Sequence, residues 1–119
     1  MKKRILVLSA NPRKNSFVHQ LALAYSGAAQ KNHDVQLHDL AHMTFNSDLS
    51  QGYEEEQTLE SPLKAFQESL EWCDHLVILA PVWWGALPAK LKGLIDRTFL
   101  PGFAFQYEEG KAIPKKLLK

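Results

Sequence analysis

Apolar residues along this chain alternate between two patterns. Ile5 to Leu8 and Leu76 to Ala80 are short, unbroken apolar runs, with the length and composition of strands buried on both faces of a parallel sheet. Other apolar residues recur at helical spacing. From Phe17 to about Gln30, the positions Val18, Leu21, Ala22, Tyr25 and Ala28 define one buried face, with Asn15 or Ser16 placed to cap the helix. Leu63, Phe66, Leu70 and Cys73 define a second helix, which Ser61 caps and Pro62 opens. A third runs from Pro88 to about Phe99, burying Leu91, Leu94, Ile95 and Thr98 while exposing Lys90, Lys92 and Arg97. Asp34 to Leu40 reads as another short strand, because Val35 and Leu37 alternate with Gln36 and His38.

The order is therefore strand, helix, strand, loop, helix, strand, helix. Such a series calls for right-handed crossovers and a parallel sheet with helices on both faces. Ala41 to Glu60 interrupts it as a long polar segment, with Glu54, Glu55 and Glu56 at its centre and Phe45 and Leu49 available to pin its first half. Leu100 to Tyr107 reads as an aromatic loop, and Glu108 to Lys119 has no clear period. The 119 residues suffice for one domain and are too few for two.

Charge narrows the partners. With 14 Lys and Arg against 13 Asp and Glu, nothing favours nucleic acid or an anionic membrane surface. No apolar run approaches the roughly 20 residues that span a bilayer, and the start of the chain lacks the apolar stretch of a signal peptide. The single cysteine, Cys73, excludes an internal disulfide, so cytoplasm is the expected compartment. His19, His33, His38, His42 and His75 are scattered without ligand spacing, so no metal site is expected.

Candidate chemistry lies on two loops. The first, Asn11 to Phe17, follows a strand and opens a helix, where free N–H groups favour an anion. It lacks both the P-loop and the dinucleotide glycine patterns. Asn11, Asn15 and Ser16 offer small donors beside the backbone N–H groups of Ser16 and Phe17. A phosphate monoester fits there, and so does ordinary helix capping. The second loop, Pro81, Val82, Trp83, Trp84 and Gly85, leaves the last apolar strand ahead of Pro88. Its two rings either cap the core or face a ligand. With strand order 2-1-3, the loops flank one crevice and suit a ligand with a phosphate at one end and a flat aromatic system at the other.

These loops, together with Pro88 to Gly93, Asp96 to Phe99 and Gly102 to Phe105, carry a resemblance that covers nearly the whole chain. The sequence resembles the NAD(P)H:quinone oxidoreductases with the flavodoxin-like fold, a group that includes DT-diaphorase, bacterial flavin reductases and ancillary subunits of potassium-efflux systems. The resemblance implies a doubly wound α/β sheet of order 2-1-3-4-5. Residues 1–119 would be a single, C-terminally truncated domain holding the N-terminal three-strand portion, without strands four and five. Strand three would then be an open edge, and an isolated monomer would be poorly stable.

By the same likeness, Asn11, Asn15, Ser16 and Phe17 hold the phosphate and ribityl chain of FMN or FAD, although many members have His in place of Asn11. Pro81, Val82, Trp83, Trp84 and Gly85 line the flavin ring, with the backbone N–H groups of Trp83, Trp84 and Gly85 as donors. NAD(P)H is the implied co-substrate and a quinone-like molecule the acceptor. No catalytic side chain is assigned, since the cofactor carries the reaction. A homodimer is expected, with Phe103, Phe105 and Tyr107 as contact candidates. The alternatives are a nucleotide-sensing regulatory subunit of a potassium-efflux type transporter and an inactive fragment.

Overall fold

A computed structural model describes residues 1–118. Three parallel strands form the main sheet in the order β2-β1-β3, with β1 spanning Arg4–Ser9, β2 Asp34–Asp39 and β3 His75–Leu79. Register is continuous on both sides of β1: Leu6 lies opposite Gln36 and Leu76, and Leu8 opposite His38 and Ile78. The run Ile5 to Leu8 is buried throughout, as expected of a central strand. Leu76 to Ala80 departs from the expected two-sided burial, and Ile78 is 41% exposed. The cause is position: among the described residues, β3 pairs within the sheet only with β1.

The two faces of the sheet are covered unequally. Leu6, Leu8 and Ala10 join Leu63, Phe66, Leu70 and Cys73 of helix α2 (Ser61–Trp72) and Leu91 and Leu94 of helix α3 (Ala89–Thr98) in the larger core. The opposite face is thinner. There Ile5 and Val7 pack with Ala22 of helix α1 (Phe17–Ala29), flanked by Val35, Val77 and Leu79. The buried residues of α1 are Ala22 and Ser26, whereas Leu21, Leu23 and Tyr25 stay exposed, so the expected apolar face is rotated. Small side chains bring this helix close to the strands and leave its larger ones outside. The cap of α1 is Ser16, whose Oγ accepts from His19 N at 3.1 Å. At α2 the cap residue is Glu60 rather than Ser61, and its side chain does not cap the helix.

The largest correction concerns Arg97. Helical spacing assigns it to the solvent face of α3, yet it is 1% exposed. Its guanidinium donates to Asn46 O, to Thr58 O at 3.0 Å and to Glu60 Oε1 at 2.9 Å. Glu60 Oε2 in turn accepts from Asn46 N at 2.6 Å. The long segment is thus clasped at both ends by one side chain, which holds the Glu60 carboxyl below its ordinary range. Its middle closes on itself, since Gln57 donates to Asp48 O at 3.1 Å and accepts from Ser50 N at 3.3 Å. Glu54, Glu55 and Glu56 remain exposed at the tip.

The same segment presses on α3 at Gly93. A Cβ there would overlap the Ser47 side chain and lie 2.9 Å from Ser47 O. Gly93→Ala should therefore destabilise the fold by about 1–3 kcal/mol, outweighing a helix-propensity gain of roughly 1 kcal/mol. Gly27, in the exposed part of α1, has nothing within 4 Å of the position a Cβ would take. Gly27→Ala should stabilise by about 0.5–1 kcal/mol. Urea unfolding of the two variants checks the opposite signs.

A polar network sits between β2 and α2. Ser69 Oγ donates to Gln36 Oε1 at 2.6 Å, which leaves its lone pairs to accept from His38 Nε2 at 2.8 Å. The His38 ring stands edge-on to Phe66, with centroids 5.7 Å apart, and burial lowers its pKa below the ordinary 6.5. The unfolded chain therefore takes up this proton at a higher pH than the folded one. The His38 contribution is complete above about pH 6.5 and is lost as pH falls through the lower, folded value. Loss from Glu60 begins lower, near the ordinary carboxyl value of 4.5. In His38→Gln, which keeps a donor nitrogen but does not titrate, the upper limb of the stability–pH curve should flatten while the lower limb stays. Thermal melts between about pH 2 and 8 read both limbs.

Beyond α3 the chain forms a small hairpin that the sequence pattern does not announce. Strand β4 (Phe105–Gln106) pairs antiparallel with β5 (Lys115–Lys116). Strands of two residues are too short to show a period. Phe103 packs on the larger core, and the Phe105 ring lies edge-on between Tyr53 and Tyr107, with centroids 6.1 and 5.3 Å away.

Candidate functional site

Strands β1 and β3 end side by side. Ala10 N donates to Leu79 O at 2.8 Å, so the loops that follow the two strands leave the same carboxyl edge as neighbours.

The first loop makes a tight turn into α1. Asn11 Oδ1 accepts from Arg13 N at 2.9 Å, which leaves the Asn11 amide NH₂ as the free end of that side chain. Asn15 holds a left-handed backbone (φ 55°), which Asn tolerates better than most residues. Ser16 is buried, and its hydroxyl is committed to the cap. The N–H groups of Phe17 and Val18 donate to nothing among the described residues, so two orphan donors of the helix N-terminus face outward with the positive end of its dipole. Phe17 itself is 74% exposed.

The second loop is a two-residue reversal. Trp83 N donates to Ala86 O and Ala86 N to Trp83 O, both at 3.0 Å, across Trp84 (φ 53°) and Gly85 (φ 69°). A bulky residue in the left-handed region is strained, and the Trp84 ring is fully exposed. The expected donor set is thereby corrected. The Trp83 amide is spent inside the turn, whereas those of Trp84 and Gly85 have no partner among the described residues. Val82, Trp83 and Leu87 add further exposed apolar surface, so the rings do not cap the core. Pro88 is buried and precedes α3, in keeping with its place in the sequence.

Two side chains tied to the start of α1, Ser9 and Asp39, were not among the residues that the sequence marked, and His19 was marked only as one of five scattered histidines. Ser9, at the end of β1, lies 2.9 Å through Oγ from His19 Nδ1, and Asp39 Oδ2, at the end of β2, lies 3.6 Å from the same nitrogen. His42 Nε2 is 3.5 Å from that carboxylate oxygen. The signal was present: His19 stands three residues beyond the cap Ser16, and Asp39 directly ends an alternating strand. Among the described residues no group of three or more His, Cys, Asp or Glu has metal-binding geometry. Cys73 is buried near the end of α2, where desolvation raises its thiol pKa. A cavity of about 300 Å³ near Leu49, Tyr53, Leu100 and Pro101 lies under the long segment, and none of its lining residues belongs to either loop.

Outward amide donors on one loop, and free amides beside exposed aromatic faces on the next, are features that fit a phosphorylated, flat aromatic cofactor. They lie at the carboxyl edge of a doubly wound α/β sheet, beside its first and third strands, which is where sheets of this class bind ligands. The chain belongs to the family described as having a flavodoxin-like fold, which matches residues 3–119. It is 30% identical over 115 residues to an uncharacterized NAD(P)H oxidoreductase of Haemophilus influenzae, covering 91% of this chain and 56% of that protein. An FMN-dependent NADH:quinone oxidoreductase 2 of Photobacterium profundum is 28% identical over 120 residues, 89% of this chain and 57% of that one. Among solved structures, an NAD(P)H:quinone oxidoreductase from Methanothermobacter marburgensis is similar with a TM-score of 0.76 and 31% identity. The match covers 92% of this chain and 59% of that one. The chain thus spans little more than half the length of each.

Proposed function

We propose that this chain carries the flavin-binding loops of an FMN-dependent NAD(P)H:quinone oxidoreductase, within a single flavodoxin-like domain. The observation that carries the reading is the pairing of β1 with β3, which sets the loop of free amides and the loop of exposed Trp rings at one sheet edge. The phosphate of FMN meets the Phe17 and Val18 N–H groups, with the Asn11 and Asn15 side chains beside them. Ser16 shapes this site as the cap and keeps its hydroxyl for His19 N. Pro81, Val82 and the exposed rings of Trp83 and Trp84 form the wall for the flavin ring, and the amides of Trp84 and Gly85 face its edge. When bound, FMN supplies the hydride-accepting and hydride-donating chemistry that no side chain here provides. The chain's own part is to orient the ring, exclude water from one of its faces and polarise its edge with amide dipoles. The names of the relatives support FMN over FAD and a quinone as acceptor. A second copy of the chain completes the site in this reading.

Titration of the purified protein with FMN tests the proposal. Quenching of flavin fluorescence, followed by NAD(P)H oxidation that depends on an added quinone, is the expected result. Protein that leaves FMN fluorescence unchanged would overturn it.

A further inference from the structure

His19 occupies the third position of α1, where its backbone and side chain do different work. The backbone N–H holds the Ser16 cap at 3.1 Å. The imidazole Nδ1 sits 2.9 Å from Ser9 Oγ and 3.6 Å from Asp39 Oδ2. Ser9 is buried, and the side chains of His19 and Asp39 are only 17% and 16% exposed. Asp39 is itself fixed, since its Oδ1 accepts from Ala41 N at 3.1 Å. One side chain therefore joins the first turn of α1 to the ends of β1 and β2. The two orphan amides, Phe17 and Val18, lie between His19 and its cap.

We propose that His19 is a positioning residue for the phosphate end of the cofactor site, acting through Nδ1. The inference rests on the FMN reading above. The loop from Asn11 to Asn15 contains a left-handed residue and has few anchors of its own, so the placement of the amides depends on how the first turn is tied down. The His19 tie reaches the strand ends themselves, the most rigid part of the edge. It also sets the ring against the carboxylate of Asp39, a negative group close to the helix end that has to accept a phosphate dianion.

The test separates phosphate placement from general stability by comparing FMN with riboflavin, which has the same ring and no phosphate. Affinities for both are measured by fluorescence quenching in the wild type, His19→Ala, His19→Asn and His19→Gln. An Asn carboxamide places a hydrogen-bonding atom where Nδ1 was, whereas Gln places one where Nε2 was. His19→Ala should weaken FMN about tenfold while riboflavin stays within about twofold. His19→Asn should restore FMN binding and His19→Gln should not. Should His19→Ala fail to fold, Ser9→Ala removes the partner hydroxyl and should show the same selective loss. Equal weakening of both flavins, unchanged FMN binding, or rescue by Gln as good as by Asn overturns the inference and leaves the FMN reading standing. A wild type that binds neither flavin removes both.

Discussion

Replacing Arg97 by Met should cost about 2–4 kcal/mol of unfolding free energy, through two carbonyls left without their charged donor, while the Glu60 carboxylate, 34% exposed, can turn to water. Met keeps the apolar stem and removes only the guanidinium. Two carbonyls, Asn46 O and Thr58 O, lose their donor, as does the Glu60 carboxylate. The partners come from both ends of the long segment and converge on one planar group, so a lysine ammonium would not replace them all. The damage should also be local. In hydrogen exchange, amides between Asn46 and Thr58 should lose protection first, while those of β1 keep theirs. A variant whose unfolding free energy in urea lies within about 0.5 kcal/mol of wild type would show that the clasp is not what holds the segment.

Trp84→Asn should move stability and binding in opposite directions. Trp84 and Gly85 both take positive φ between reciprocally bonded Trp83 and Ala86, the pattern of a type I′ turn, for which Asn-Gly is the preferred pair. Exchanging a strained, fully exposed ring for Asn should raise flavin-free stability by about 0.5–1 kcal/mol, within the cost of left-handed backbone for a bulky residue. Removing the ring should also weaken FMN by roughly three- to tenfold, the scale of one aromatic contact. Melts without flavin and titrations with it measure the two separately. A loss of stability, or an affinity that does not change, would refute the idea that strain is tolerated here for the sake of the ligand.

Much of the fold is legible in the residues because a single signal decides each element. Unbroken apolar runs mark β1 and β3, alternation marks β2, and Pro62 and Pro88 mark two helix starts. The two loops are legible as well, since strand ends, Asn and Ser donors and adjacent Trp residues are local features. What escapes depends on distant contacts. Arg97 sits where helical period predicts solvent, and only the return of a segment more than 30 residues upstream buries it. The α1 face is hidden for a different reason: size suggests that its larger apolar residues are buried, whereas small Ala22 and Ser26 make the close approach. In the candidate site, the loss of the Trp83 amide to Ala86 depends on backbone geometry that no residue type announces, and the tie from His19 to Ser9 shows in the chain only as a histidine three residues beyond the cap.

The thinness of the α1 side has a dynamic consequence. Among the described residues, eleven buried ones form the cluster that cements α2 and α3 to the sheet, whereas three form the cluster beneath α1. Of the three helices, α1 is the one that rests on the smallest fully buried cluster, so its detachment would expose the least core. Its first turn carries the proposed phosphate donors, so a bound anion would add its binding energy to this thinly packed joint and couple ligand occupancy to closure of that helix.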